Sequence, residues 1–304
     1  MAGRWVAIDA PLDSSGTSRG EQAAPRALRA GGLLEAVGAR DGGQVEIAIT
    51  DRARDAGCGV IALGQLQEAT ARIRKATAQL LEAGDRPLLI GGDCTILIGA
   101  IAALADHHPD IALAFIDGHA DFLPGDASPT GEAADMDLAA LTGHGPPQLL
   151  PAGARRPLVE PGRVYLLGHR PSDSSAEADD ENARVPAAIE QLDARTILRE
   201  GPRAVGERVA SRLSAAAPAL WLHLDLDVLD PSALPAVSYP QDGGLSWEAL
   251  EALVRPIAAS ENLRGLSVAD FNPTKDPDGR AARRVVAFLA LLLVAGGAGS
   301  APPR

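Results

Sequence analysis

A chain of 304 residues with a formal net charge of −12 offers no basic face, which excludes nucleic acid and anionic membrane surfaces as partners. Hydrophobic residues make up 46% of it but aromatic ones only 3%, so its core must be built from Ala, Leu, Val and Ile, as suits parallel strands sandwiched between helices. Cys58 and Cys94 are the only cysteines, which gives no disulfide framework and leaves each thiol free for packing, metal binding or chemistry.

The elements alternate along the chain. A first apolar run, Arg4–Ile8, precedes helical periodicity over Ala24–Val37, and a second helix is predicted over Gln65–Glu82. A strand at Pro87–Ile90 then leads to a helix at Thr95–Ala105, and strands follow at Ile111–Ile116 and Val164–Leu167. The last part repeats the unit, with a helix at Val205–Ala215, a strand at Leu220–Leu226, a helix at Trp247–Ala258, a strand at Leu263–Ala269 and a helix at Arg280–Val294. Strands separated by helices call for parallel pairing through crossovers, hence one three-layer α/β/α domain with a mostly parallel sheet over residues 1–304. Residues 123–132 and 171–186 are small, polar and acidic and are expected as surface loops near the site, and Gly296–Arg304 as a frayed tail. The apolar run Val285–Ala295 is too short to span a bilayer, which takes about 20 residues, and the N-terminus has no basic segment leading into an apolar one. The expected location is the cytoplasm.

Three apolar runs end in acidic, His or Cys clusters. Leu88-Leu89-Ile90 runs into Gly91-Gly92-Asp93-Cys94, Phe115-Ile116 into Asp117-Gly118-His119-Ala120-Asp121, and His223-Leu224-Asp225-Leu226-Asp227 is followed by Asp230-Pro231. Ligands of such sheets bind beyond the carboxyl ends of the strands, where all three clusters fall. In an extended segment residues i, i+2 and i+4 point the same way, so Asp117, His119 and Asp121 converge, as do Asp225 and Asp227. Four carboxylates packed at the end of an apolar sheet repel one another and stay protonated unless cations neutralise them. Two divalent ions supply that charge, and oxygen-rich donors with one imidazole suit Mn²⁺. Taken singly, each cluster could be a tight turn or a helix cap; together, at three strand ends, they point to metal.

The segments Gly-Gly-Asp-Cys-Thr (91–95), Asp-Gly-His-Ala-Asp (117–121) and Asp-Leu-Asp-Val-Leu-Asp-Pro (225–231) resemble the three metal signatures of the ureohydrolases, the arginase and agmatinase family. Ala24-Pro25-Arg26-Ala27-Leu28-Arg29, Gly243-Gly244-Leu245-Ser246 and Ala269-Asp270-Phe271-Asn272-Pro273 also match, in the family's order. The resemblance implies that one ion takes Cys94, Asp117, Asp121 and Asp225, and the other Asp117, His119, Asp225 and Asp227. Asp117 and Asp225 would bridge. It further implies a hydrolase in which a hydroxide held between the ions attacks a guanidinium carbon and Asp121 returns a proton to the leaving amine. Asp270 falls where relatives pair a Glu with the guanidinium, and Asp173 where arginases contact the substrate's α-amino group. The substrate would be a small cationic guanidino compound, arginine-, agmatine- or Nω-hydroxyarginine-like, and the assembly a homo-oligomer, trimer or hexamer. Hydrolysis of another amidine or formimino C–N bond, and a catalytically silent member, stay open.

Three departures qualify the resemblance. Cys94 stands where the family has His, and a soft thiolate brings Zn²⁺ or Fe²⁺ in beside Mn²⁺. The family branch acting on Nω-hydroxyarginine shares this Cys. The His that arginases carry in the following loop is missing from Thr130-Gly131-Glu132-Ala133-Ala134-Asp135-Met136, where Glu132 or Asp135 is the nearest replacement, and His144 is expected on the surface. Asp270 is one methylene shorter than Glu. His223 occupies a position where a small residue is usual and is expected as a satisfied histidine behind the ligands or in the core.

Overall fold

The computed structural model describes residues 3–294. The chain begins with β1 (Trp5–Ala10), α1 (Ala24–Ala30), α2 (Leu33–Val37), β2 (Arg40–Gln44), α3 (Leu63–Glu82), β3 (Arg86–Gly91), α4 (Ile96–His107) and β4 (Ile111–Ile116). It continues with α5 (Asp137–Leu141), β5 (Val164–Leu167), α6 (Ala176–Arg184), β6 (Glu190–Leu192), α7 (Ala194–Glu200), α8 (Pro202–Ala216), β7 (Ala219–Asp225), α9 (Trp247–Ala258), β8 (Leu263–Ala269) and α10 (Arg280–Leu293). The strands form one eight-stranded sheet in the order β2-β1-β3-β8-β7-β4-β5-β6, and every pair is parallel.

Two-residue periodicity divides each central strand between two cores. In β4, Ala112, Ala114 and Ile116 face the layer formed by α1, α2 and α7 to α10, while Ile111, Leu113 and Phe115 face α3, α4 and α5. Strands buried on both faces read as continuous apolar runs, which is why all six inner ones are legible in the sequence. The three-layer α/β/α architecture follows.

Several elements differ from expectation. The helix over Ala24–Val37 is two helices, because Gly31-Gly32 breaks it and Gly32 adopts φ 87°. β2, Arg-Asp-Gly-Gly-Gln, is exposed along its length at one edge, and β6 has only three residues at the other, so neither carries an apolar signal. The segment 171–186 is not a loop throughout, since it contains α6, capped by Ser175, whose side chain accepts from the Ala178 amide. The expected tail at Gly296–Arg304 lies outside the described residues. The run Val285–Ala295 mostly forms α10, which packs Val285, Phe288, Leu289 and Leu292 into the core. No described helix is long and apolar enough to cross a membrane.

One glycine fixes how β3 meets the rest. A Cβ at Gly92 would lie 1.7 Å from the Leu12 carbonyl oxygen, so only Gly lets the turn after β3 touch the backbone after β1. Asp93 completes that contact by accepting from the Ser14 amide at 2.6 Å. The next residue is Cys94.

Candidate metal centre

The four adjacent central strands β3, β8, β7 and β4 each deliver a functional side chain at their carboxyl end. Cys94 follows β3, Asp270 follows β8, Asp225 ends β7 with Asp227 in the single 3₁₀ turn beyond it, and Asp117, His119 and Asp121 follow β4. The convergence has a different origin from simple strand alternation. Asp121 has φ 50° and Asp270 φ 62°, in the left-handed region that Asp tolerates better than most residues, so both segments turn back over the sheet end. The Asp270 amide donates to the Gly92 carbonyl at 2.6 Å, tying the β8 exit to the β3 turn.

The donor atoms gather in overlapping groups. Donor atoms of Cys94, Asp117, His223 and Asp225 all lie within 4.8 Å of one another, as do those of Asp117, His119 and Asp227, and those of Asp225, Asp227 and Asp270. Cys94 Sγ is 2.6 Å from Asp225 Oδ2 and 3.6 Å from Asp117 Oδ2. His119 Nδ1 is 2.9 Å from Asp227 Oδ2 and 3.7 Å from Asp117 Oδ1. Backbone amides orient the carboxylates, since Asp117 Oδ1 accepts from His119, Asp225 Oδ1 from Asp227 and Asp227 Oδ1 from Gly118. Arg170, itself buried, donates to the carbonyls of Asp227, Leu229 and Gln241 and so clasps the loop beyond β7.

Electrostatically the cluster is overloaded with acids. Burial, followed by the charge of Asp227, pushes Asp117 up to about 6. Burial and the neighbouring carboxylates also drive Asp121, Asp225 and Asp270 well above the carboxylate range, and burial and Asp225 raise the Cys94 thiol. Asp227 alone is held low; its burial is outweighed by the charge and hydrogen bond of His119. Groups so placed ionise together only when cations neutralise them. Three buried polar atoms at this site, Asp121 Oδ2, Asp137 Oδ2 and His223 Nε2, have no hydrogen-bond partner among the described residues. Buried acceptors without donors, beside a thiol, an imidazole and carboxylates, are what a site fitted to divalent cations presents.

Asp173 does not join the site. It is largely exposed and pairs with Arg195 at 2.9 Å, because the segment around it winds into a 3₁₀ turn and α6 along the surface. The carboxylates that α6 brings to the cleft are Glu177 and Glu181, one turn apart. Glu181 accepts from the Phe122 amide at 3.1 Å, and burial raises it to about 7. Glu132 lies beside the cleft and engages Arg19 and Tyr239, while Asp135 lines it, held by Ser128 and Thr130. His144 sits against Phe122 and Thr142, outside the cleft lining. Asp137 is fully buried at the start of α5, where its charge adds to the burial that pushes Asp121 up. Nothing in the local sequence marks it, since its partner comes from the preceding loop. For His223, the expected satisfaction holds at Nδ1, 2.8 Å from Ser267 Oγ, and fails at Nε2.

A parallel three-layer fold with such a centre at the carboxyl ends of its middle strands defines a class, the α/β proteins with a buried cluster fitted to divalent cations. The chain belongs to the arginase family, whose profile, described as Arginase family, matches residues 4–295. It is 30% identical over 291 residues to an arginase of Bacillus caldovelox, with 94% of this chain and 96% of the relative covered. The solved structure of a Bacillus caldovelox arginase superposes with a TM-score of 0.85 at 28% identity, covering 96% of this chain and 98% of that one. An arginase from Bacillus cereus superposes at 0.84 with 27% identity, covering 95% and 98%. The family's enzymes depend on a binuclear metal centre, and the buried cluster is able to hold metal.

Proposed function

We propose that the chain is a binuclear metal hydrolase that cleaves the guanidino C–N bond of a small dicationic compound, releasing urea or an N-substituted urea. The observation that carries this reading is that the donor groups overlap, with Asp117, Asp225 and Asp227 each belonging to two of them, which supports two neighbouring ions that share carboxylates, Asp117 and Asp225 as the bridges. One ion would be held by Cys94, Asp117, Asp121 and Asp225, the other by Asp117, His119, Asp225 and Asp227. Two such ions supply Lewis acidity toward the guanidinium carbon and make a water nucleophilic near neutral pH. Mn²⁺ suits the oxygen-rich set around His119, and the sulfur of Cys94 brings in Zn²⁺ or Fe²⁺.

The protein's own groups would orient and protonate the substrate. Asp270, buried and fixed by the Ser238 amide at 3.0 Å, offers a carboxylate to the guanidinium N–H groups. Asp121, buried beside the ion positions, would take a proton from the attacking water and return it to the leaving amine. The cleft is lined by Asp135, Glu177 and Glu181 and by no Lys or Arg among the described residues. Arg19, near Tyr239, is bracketed by Glu21 and Glu132. A substrate carboxylate would find no cation here, whereas a second amine would find several acids. Agmatine-like compounds are therefore favoured over arginine-like and Nω-hydroxyarginine-like ones.

Metal analysis of the purified chain, with urea release from agmatine, arginine, Nω-hydroxyarginine and a formimino compound, tests the reading. Two ions per chain and a kcat/KM for agmatine at least about tenfold above that for arginine are expected, a difference of about 1.4 kcal/mol. A metal-loaded chain that acts on none of the four would sink the activity.

A further inference from the structure

His223 stands in a place the reaction does not yet use. It is fully buried near the end of β7, two residues before Asp225 and on the same face, and is paired in register with Phe115 of β4 and Ser267 of β8. Its ring lies 5.0 Å from that of Phe115. A ring nitrogen belongs to the group formed with Cys94, Asp117 and Asp225, no two of whose donor atoms are more than 4.8 Å apart. Ligand atoms around one ion lie about 3–4 Å apart for bonds of about 2.0–2.3 Å, so the group needs only small shifts to enclose a cation, Cys94 Sγ and Asp225 Oδ2 moving apart and the wider pairs closing in.

The other nitrogen is already held. Ser267 Oγ takes the Trp221 Nε1–H at 3.0 Å and lies 2.8 Å from His223 Nδ1. A hydroxyl has two lone pairs, so it can accept from both donors. With the proton on Nδ1, the lone pair of Nε2 points into a buried space without any hydrogen-bond donor among the described residues. Metal-bound histidines characteristically carry this arrangement, one nitrogen on the ion and the opposite N–H on a polar partner.

We propose that His223 Nε2, supplied by β7, is a ligand of the ion at the Cys94 site. The inference rests on the binuclear reading above. The turn after β3 then gives the thiolate and β7 the imidazole. The Cys94 site becomes a mixed sulfur, nitrogen and oxygen site, while the His119 site stays oxygen-rich. The two should therefore differ in metal preference, with Zn²⁺, Fe²⁺ and Co²⁺ favoured over Mn²⁺ at the first only. Ser267 is its positioning residue.

The test uses the full-length chain, stripped with a chelator and titrated with Co²⁺ while stoichiometry, affinity and the visible and near-ultraviolet spectrum are followed. The wild type should take two ions and show a thiolate-to-cobalt charge-transfer band. His223→Ser should bind the ion at the Cys94 site at least about tenfold more weakly, shift that band and recover it with added imidazole, leaving the second ion's affinity unchanged. Ser267→Ala retains the ring but loses its anchor, and should weaken the same ion by about tenfold, which decides the matter should His223→Ser not fold. Exchanging the pair, Cys94→His with His223→Ser, should abolish the charge-transfer band and move preference toward Mn²⁺. A folded His223→Ser with two ions at wild-type affinity and an unchanged cobalt spectrum would overturn the proposal alone. A wild type that takes fewer than two ions would overturn the binuclear reading, and this inference with it.

Discussion

Asp225 and Asp270 lie within one donor group and are both buried, yet their surroundings assign them different work. Asp225 also contacts Cys94 Sγ and accepts from the Asp227 amide, so its loss opens both ion positions at once. Asp270 instead turns back from β8 on a positive φ and spends one oxygen on the Ser238 amide. Asp225→Ala should therefore lose metal and activity together. Asp270→Ala should keep its ions and lose about 10- to 100-fold in kcat/KM, the worth of one charge-assisted hydrogen bond of about 1.5–3 kcal/mol. Metal analysis beside steady-state kinetics on the two variants checks the contrast. Full occupancy in Asp225→Ala, or metal loss in Asp270→Ala, would reverse the assignment.

At the scale of elements, α6 carries the acids that face the cleft entrance. Glu177 is exposed, whereas Glu181 is buried and anchors the Phe122 amide one residue beyond Asp121. Glu177→Gln should raise KM for a dicationic substrate by about two- to fivefold with kcat unchanged, the range of an exposed ion pair of up to about 1 kcal/mol. The effect should shrink at high salt. Glu181→Gln should lower kcat as well, because the loop bearing Asp121 loses its support; equal effects of the two variants in kinetics at varied ionic strength would contradict this division.

The same helix shows what the sequence conveys and what it hides. The six inner strands are legible because burial on both faces gives uninterrupted apolar runs, and the clusters that end β3, β4 and β7 because acids mark them. Edge strands β2 and β6 bury little and leave no pattern. α6 is acidic and mostly exposed, so its composition resembles a solvated loop, and the family resemblance put the expected contact on Asp173, in the 3₁₀ turn before the helix, whereas the acids lining the cleft are Glu177 and Glu181. Asp137 and His223 acquire their meaning from partners far away in the chain, Asp121 and Cys94. No spacing rule along one segment reports such contacts.

Taken as a whole, the molecule stores a large proton inventory in its centre, and this sets opposite pH responses for its two forms. Without metal, burial raises Asp93 and Glu181 to about 7 and Asp117 to about 6, and holds Asp121, Asp137, Asp225 and Asp270 well above the ordinary carboxylate range, whereas carboxylates of an unfolded chain titrate near 4. From about pH 4 to 7 the native state therefore binds more protons than the unfolded one, and stability conferred by these groups is lost as pH rises. Two buried histidines work the other way, His223 at about 3 and His169 at about 4, since each stays neutral when folded and charges on unfolding below about 6.5. Asp227, held low by His119, acts in the same direction only below about pH 4, where an unfolded Asp takes up its proton. Between pH 5 and 7 the seven raised carboxylates outnumber the two histidines, so the metal-free protein should melt at a lower temperature at pH 7 than at pH 5. Divalent ions take ligands in their deprotonated form, so the metal-loaded protein should gain stability over the same interval. Melting curves at half-unit steps between about pH 4.5 and 7.5, with chelator and with saturating Mn²⁺ or Zn²⁺, should diverge as pH rises. A chelated protein whose melting temperature climbs in parallel with the loaded one would mean that the acids are already ionised without cations, and that their burial is offset by the protein itself.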